Sequence, residues 1–250
     1  MIRIDIDGPT AWLRLDRPQA RNALTMDAFE EMAQQLDALG HSEARLLIVT
    51  GEGSHFCAGA DLAEFAELQA SEAARRRFRI AIRAALDGFA KLPIPVLAHV
   101  EGACFGAGVA LAMACDTRFA APDARFAITP AKIGIGYPQE DVHRLVSLVG
   151  PGQAARLLYT GMAIDAEEAL RIGLIEVVGE STELLATMDA LLACDPGSIA
   201  MLKRGVGLAA AGVRSDDGQD RAFEDLLHSP AAVELLSRAR AGRRLPPSDS

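Results

Sequence analysis

Apolar and polar positions change period along this chain, and each change predicts a boundary between strand and helix. Residues 2 to 15 alternate as two short strands around a turn at Asp7-Gly8-Pro9. From Met26 to Leu39 the apolar positions Met26, Phe29, Met32, Ala33, Leu36 and Leu39 follow helical spacing behind Thr25, a suitable N-cap. Arg45 to Thr50 reads as a buried strand ending at Gly51, and residues 61 to 90 as a helical zone. Pro95 to Val100 is the next strand. A glycine turn at Gly106-Ala107-Gly108 then starts a helix that runs to about Ala114, before short strands near 117–121 and 125–128.

Beyond Gly136 the texture changes. Glu140, Asp141 and His143 open a helix with favourable N-terminal charge, and Gly150-Pro151-Gly152 opens another. Asp165 and Glu168 form a capping box for a helix that Gly173 closes. After a last strand near 174–178 the pattern is helical to about Arg240, with a frayed tail from Leu245 to Ser250. Strands alternating with helices, then helices alone, predict an α/β core over residues 1–195 and a helical region over 196–250.

Composition narrows the function. The 250 residues are 50% hydrophobic and carry a formal charge of −9, which leaves no basic surplus for nucleic acid. Basic clusters at Arg75, Arg76, Arg77 and Arg79, and at Arg238, Arg240, Arg243 and Arg244, read as solvated helix faces. The cysteines show no metal-ligand spacing, and Cys104, Cys115 and Cys194 are expected in the core. The run from Gly102 to Cys115 is too short to span a membrane, and the start MIRIDID does not read as a signal peptide. The expectation is a cytoplasmic enzyme.

Two segments share one design of strand, small-residue turn and helix: LLIVTGEGSHFCAGADLAEF (Leu46 to Phe65) and VLAHVEGACFGAGVALAMACD (Val96 to Asp116). Small residues let a ligand approach the backbone, and the first N–H groups of a helix lack internal partners. The amides of Ala60 and Ala107 could therefore converge on one oxygen that gains charge. Donors of this type contribute about 2.7–4 kcal/mol each. Tight helix–strand packing is the other reading of either turn.

In order along the chain, RPQARNALT (Arg17 to Thr25), FCAGADLAEF, the Gly106 turn and TGMAIDAEEALRIGLIEVV (Thr160 to Val178) resemble the crotonase superfamily, which includes enoyl-CoA hydratases and isomerases. The resemblance implies a spiral of ββα units with a C-terminal helical trimerisation region, assembled as a homotrimer or a dimer of trimers. It implies an acyl-CoA substrate, with CoA brought in by the substrate and no separate cofactor. Its oxyanion hole falls on the amides of Ala60 and Ala107, the latter at a position that is usually glycine. Its CoA-binding segments fall on Arg17, Ala20, Arg21 and Ala23, on Ala58, Asp61 and Leu62, and on Phe223. Asp61, at a helix start, also has a structural reading.

The two glutamates of the hydratases fall on Ala110 and Pro130 here. Adding water needs one group to deprotonate it and another to protonate carbon, so ordinary hydration is not expected. Thr129-Pro130 and Tyr137 instead resemble the methylmalonyl-CoA decarboxylase branch, although its oxyanion histidine corresponds to Ala60 and its remaining glutamate to Ala110. Losing CO₂ needs no base, and a phenol and a hydroxyl could hold the leaving carboxylate perpendicular to the thioester. Three readings follow. The leading one is a malonyl-type acyl-CoA decarboxylase using Tyr137 and Thr129. The second is a hydratase or isomerase that recruits Glu64, Glu140 or Asp141, and the third is a CoA-binding member without turnover. Tyr137 could also merely pack beneath the next helix, and Thr129 anchor a turn. His55 and Cys57 read as local packing.

Overall fold

Alternation at the N-terminus produces a hairpin. Strands β1 (Ile2–Asp7) and β2 (Thr10–Leu15) pair antiparallel, Ile2 opposite Leu15 and Asp7 opposite Thr10. The computed structural model describes residues 1–242, so Arg243, Arg244 and the tail from Leu245 lie outside the described residues. Strands β3 (Leu46–Gly51) and β4 (Val96–Val100) then add in parallel. After β4 the chain alternates between two sheets. Strand β5 (Ala103–Phe105) starts the second sheet, β6 (Thr117–Ala120) returns to the first, and β7 (Arg125–Ala127) and β8 (Ile164–Asp165) complete the second. Strand β9 (Val177–Val178) closes the first, giving the orders β1-β2-β3-β4-β6-β9 and β5-β7-β8. This is the expected α/β spiral with a helical C-terminal region.

Strand β3 is buried on both faces, which explains its unbroken apolar run. Leu47 and Val49 join the main core with helices α1 (Met26–Leu39) and α3 (Glu72–Lys91). Leu46 and Ile48 face a smaller cluster with Leu97, Phe119, Leu184 and Met188. Thr25 caps α1 as expected, accepting from the Ala28 N–H at 3.1 Å. The helical zone after residue 61 is a 3-10 turn at Leu62–Glu64, α2 (Phe65–Ala70) and α3, the last capped by Ser71.

Helix α4 (Ala107–Ala114) is buried almost all round and occupies the space beside both sheets. Helix α5 (Gln139–Thr160) is broken at Gly150 (φ 74°, ψ 164°), where Pro151 restarts it. At α6 (Ala166–Arg171) only half of the expected capping box forms. Asp165 accepts from the Glu168 N–H at 2.9 Å, while the Glu168 carboxylate pairs with Arg156 and Arg171, both at 2.7 Å. Helices α7 (Ser181–Leu192), α8 (Pro196–Ala210), α9 (Asp217–Leu227) and α10 (Pro230–Gly242) follow. Lys203 ties α8 to the core, bonding the Phe89 and Ile94 carbonyls at 2.9 Å and Asp116 at 2.8 Å. Cys104 and Cys115 are core thiols, but Cys194 is exposed, because the end of α7 lies at the surface.

Candidate active site

The segment after β3 is threaded between two neighbours. On one side Cys57 N–H donates to the Ala103 carbonyl (2.9 Å), and the Cys57 carbonyl accepts from Phe105 N–H (2.8 Å). On the other, Ala58 N–H donates to Arg21, Leu24 N–H to Gly59 and Asp61 N–H to Leu24, at 2.8 to 2.9 Å. A Cβ on Gly108 would lie 2.6 Å from the Cys57 carbonyl oxygen, so only glycine lets the start of α4 press this close. One built on Gly59 would lie 3.7 Å from the Ala107 nitrogen. Ala60 and Ala107 are thus neighbours across the two turns, and neither amide has a backbone acceptor among the described residues. Two neighbouring N–H groups without a partner among the described residues are what an oxyanion requires.

Both alanines line two adjoining cavities, each of about 170 Å³. The first is walled by Phe29, Phe65, Phe78, Ile82 and Leu86 and is almost wholly apolar. The second runs past Ala58, Leu62 and Ile133. Pro130 faces both and Ala110 the first, so the positions expected to lack acids do line the site and leave it uncharged there.

Tyr137 lines the first cavity, but its hydroxyl donates to the Gly106 carbonyl at 3.0 Å. Burial and the nearby Asp141 push the phenol well above its ordinary pKa, so it stays protonated. Its proton is therefore committed to the backbone, which departs from the expectation that it would hold a substrate carboxylate. Thr129 lines the second cavity, with its Oγ 3.8 Å from where a Cβ on Gly106 would be. That hydroxyl makes no hydrogen bond among the described residues, capping included.

The structure separates the three substitute acids. Glu64 accepts from the Met26 N–H at 2.7 Å, serving the start of α1, and does not line the first cavity. Glu140 is exposed on the first turn of α5. Asp141 lines the first cavity with its side chain 1% exposed, and it is the one carboxylate there among the described residues. Its Oδ1 accepts from Arg83 at 2.7 Å and from Arg144 at 3.3 Å, while Oδ2 makes no hydrogen bond among the described residues. Burial raises the Asp141 pKa, and the two arginines partly oppose the rise.

Cys57 and His55 are structural, as expected. Burial pushes the Cys57 thiol up to about 12, which removes it as a nucleophile, and His55 Nδ1 accepts from the Ala103 N–H at 3.2 Å. Arg17 and Asp61, both expected to face CoA, bond each other. Asp61 also accepts from the Ala63 N–H at 2.9 Å, and together these hold its carboxyl below the usual range. Arg17 also donates to the Ala23 carbonyl at 3.3 Å and accepts from the Ala20 N–H at 3.0 Å, and Ala58 N–H meets the Arg21 carbonyl at 2.9 Å. Asn22 is a residue the pattern missed. Buried in the left-handed region (φ 57°), it donates to Glu52 and His55 carbonyls at 2.9 and 2.7 Å and accepts from Arg17 N–H. Asn's tolerance of that conformation was the available signal. Phe223 is 55% exposed on α9 and lines neither cavity.

Comparison with known proteins agrees with this layout. A family model described as enoyl-CoA hydratase/isomerase matches residues 6–225. A Mycobacterium tuberculosis protein named a probable enoyl-CoA hydratase is 35% identical over 227 residues, 91% of this chain and 85% of the relative. The crotonyl-CoA hydratase of Syntrophomonas wolfei is 41% identical over 177 residues, 70% of this chain and 67% of the relative. The crystal structure of enoyl-CoA hydratase from Bacillus anthracis superposes with a TM-score of 0.87 at 29% identity, covering 97% of this chain and 96% of that one. The two turns, the spiral that joins them and these likenesses agree: the chain belongs to the enoyl-CoA hydratase/isomerase family of acyl-CoA enzymes, within the crotonase superfamily.

Proposed function

We propose that the chain holds an acyl-CoA thioester oxygen between the Ala60 and Ala107 amides, stabilises the enolate, and moves a proton with Asp141. The observation that carries this reading is that, among the described residues, Asp141 is the one carboxylate on the cavity those alanines line. Hydration asks for two proton-handling groups, and the two positions that would supply them are Ala110 and Pro130. Shifting a double bond asks for one. In that reaction the Asp141 carboxylate takes a proton from C2 and the electron pair moves onto the thioester oxygen. When the enolate collapses, the double bond forms between C2 and C3 and C4 takes the proton back. Arg83 and Arg144, bound to Oδ1, leave Oδ2 for that transfer.

The expected activity is conversion of a β,γ-unsaturated acyl-CoA into its conjugated isomer, followed by the absorbance of the product. Asp141→Asn keeps an oxygen for the arginine contacts but cannot take up a proton, and should cost about 10²-fold or more in kcat. Unchanged turnover in that variant would remove Asp141 from the mechanism.

The Thr129 hydroxyl, without a hydrogen bond among the described residues, supports a second reading, decarboxylation of a malonyl-type acyl-CoA. There the substrate carboxylate supplies the electrons and Thr129 orients it. CO₂ release from malonyl-CoA or methylmalonyl-CoA that survives Asp141→Asn and falls in Thr129→Val would select this reaction. Binding of these thioesters without turnover would instead identify a CoA-binding member of the family.

A further inference from the structure

Tyr137 and Gly106 are 31 residues apart in sequence, yet a hydroxyl–carbonyl bond of 3.0 Å joins them. The Gly106 carbonyl and the Ala107 N–H are two ends of one peptide group. That group is planar and trans, so a bond that fixes the C=O direction fixes the N–H on its opposite side. The same carbonyl accepts Val109 N–H at 3.0 Å and Ala110 N–H at 3.3 Å. Each donor on a peptide oxygen draws electron density from the nitrogen and makes the N–H a stronger donor in turn.

We propose that Tyr137 is a positioning residue for the second oxyanion donor: its hydroxyl orients and polarises the Gly106–Ala107 peptide so that the Ala107 N–H meets an enolate oxygen. This rests on the reading of Ala60 and Ala107 as the thioester site. Two further observations bear on it. Gly106, at φ 51° and ψ −113°, lies just outside α4, and to the two first-turn N–H groups that reach its carbonyl the tyrosine adds a third donor from a distant segment. Tyr137 and Ala107 also line the same cavity wall, so the bond lies beside the space a thioester would fill. The consequence is that Tyr137 acts on either proposed reaction through the backbone, and Thr129 is the hydroxyl left to face a substrate.

Acetoacetyl-CoA tests the proposal, because its enolate absorbs in the near ultraviolet and its bound enolate-to-keto ratio reports oxyanion stabilisation directly. The unsubstituted protein should raise that ratio on binding. Tyr137→Phe should lower it about tenfold, the scale of a lost hydrogen bond of roughly 1.4 kcal/mol, while acetoacetyl-CoA still binds. The chain has two tyrosines. In a Tyr159→Phe background, global replacement by meta-fluorotyrosine therefore changes the phenol at 137 alone. Its more acidic hydroxyl should raise the ratio above that of the unlabelled protein. A side chain that only packs would shift thermal stability and leave both ratios unchanged, and that result overturns the proposal. Absence of binding or enolisation in the unsubstituted protein overturns the Ala60 and Ala107 reading itself. Should Tyr137→Phe fail to fold, the fluorotyrosine comparison decides alone.

Discussion

Gly108 sets the distance between the two turns at the cost of a single hydrogen atom. A methyl there would meet the Cys57 carbonyl carbon at 3.3 Å and its oxygen at 2.6 Å, and backbone cannot swing aside as a side chain can. Gly108→Ala should push the start of α4 away from Cys57 and carry the Ala107 amide with it. We expect about 10²-fold lower kcat, as for loss of one oxyanion donor, with a folded protein by circular dichroism. Near-normal turnover would show that the amide is not used. Asp141 sets a pH dependence of opposite sign for activity and stability. As the base it must be ionised, so isomerisation should rise with pH through its raised pKa. For stability, the native state holds this proton more tightly than the unfolded chain. The contribution is therefore full below the unfolded value of about 3.9 and is lost as pH rises through the native one. Asp141→Asn should abolish that descending segment in denaturant midpoints measured across acid pH. At this scale the turns pointed to Ala60 and Ala107 and the family resemblance to Ala110 and Pro130, but neither gave the partner of Tyr137, since nothing local to residue 137 names a carbonyl on another turn.

Elements long enough to show a period were legible. The Met26–Leu39 helix begins and ends at the residues its apolar spacing indicates, because one face must meet the core and Thr25 satisfies its first amides. Strands β5 and β8 escaped, because Ala103 to Phe105 reads as part of the turn leading into Gly106 and Asp165 reads as a helix cap. They exist because β7 lies between them and supplies partners, Cys104 with Phe126 and Ile164 with Phe126. Long-range ion pairs were equally hidden. Arg118 on β6 is 5% exposed and is bonded by Glu176 and by the Cys115 carbonyl at 2.9 Å. Glu176→Ala would leave that guanidinium without its counter-charge, but the Glu176 side chain is 38% exposed and solvent screens the pair, so we expect a loss of about 1–3 kcal/mol in denaturant titration. A loss below about 1 kcal/mol would mean that solvent reaches Arg118 readily.

Over the whole molecule, the C-terminal helices leave apolar side chains in water. Leu202 and Val206 on α8, Phe223 and Leu227 on α9, and Val233 and Leu236 on α10 are all at least half exposed. Neither α8 nor α9 buries a single residue, although Lys203 fixes α8 firmly to the core. Apolar surface of this kind on an ordered element fits the assembly that the resemblance to the crotonase superfamily implies. We expect a trimer or a dimer of trimers by sedimentation, with thermal stability that rises with protein concentration. Val206→Glu together with Phe223→Glu should yield a folded monomer. A monomeric unsubstituted protein at micromolar concentration would contradict this.

Local chemistry was enough to determine the succession of strands and helices and the two small-residue turns, while the spiral and the missing acids at Ala110 and Pro130 came from the resemblance to the crotonase superfamily. Period, capping and glycine conformation act over a few residues and are written there. Tertiary structure alone decided which carboxylate reaches the cavity, Asp141 and not Glu64 or Glu140, and where the Tyr137 proton goes. Those choices depend on which distant elements pack together, because a buried polar group takes the partner that packing brings to it, however far away it lies in the chain.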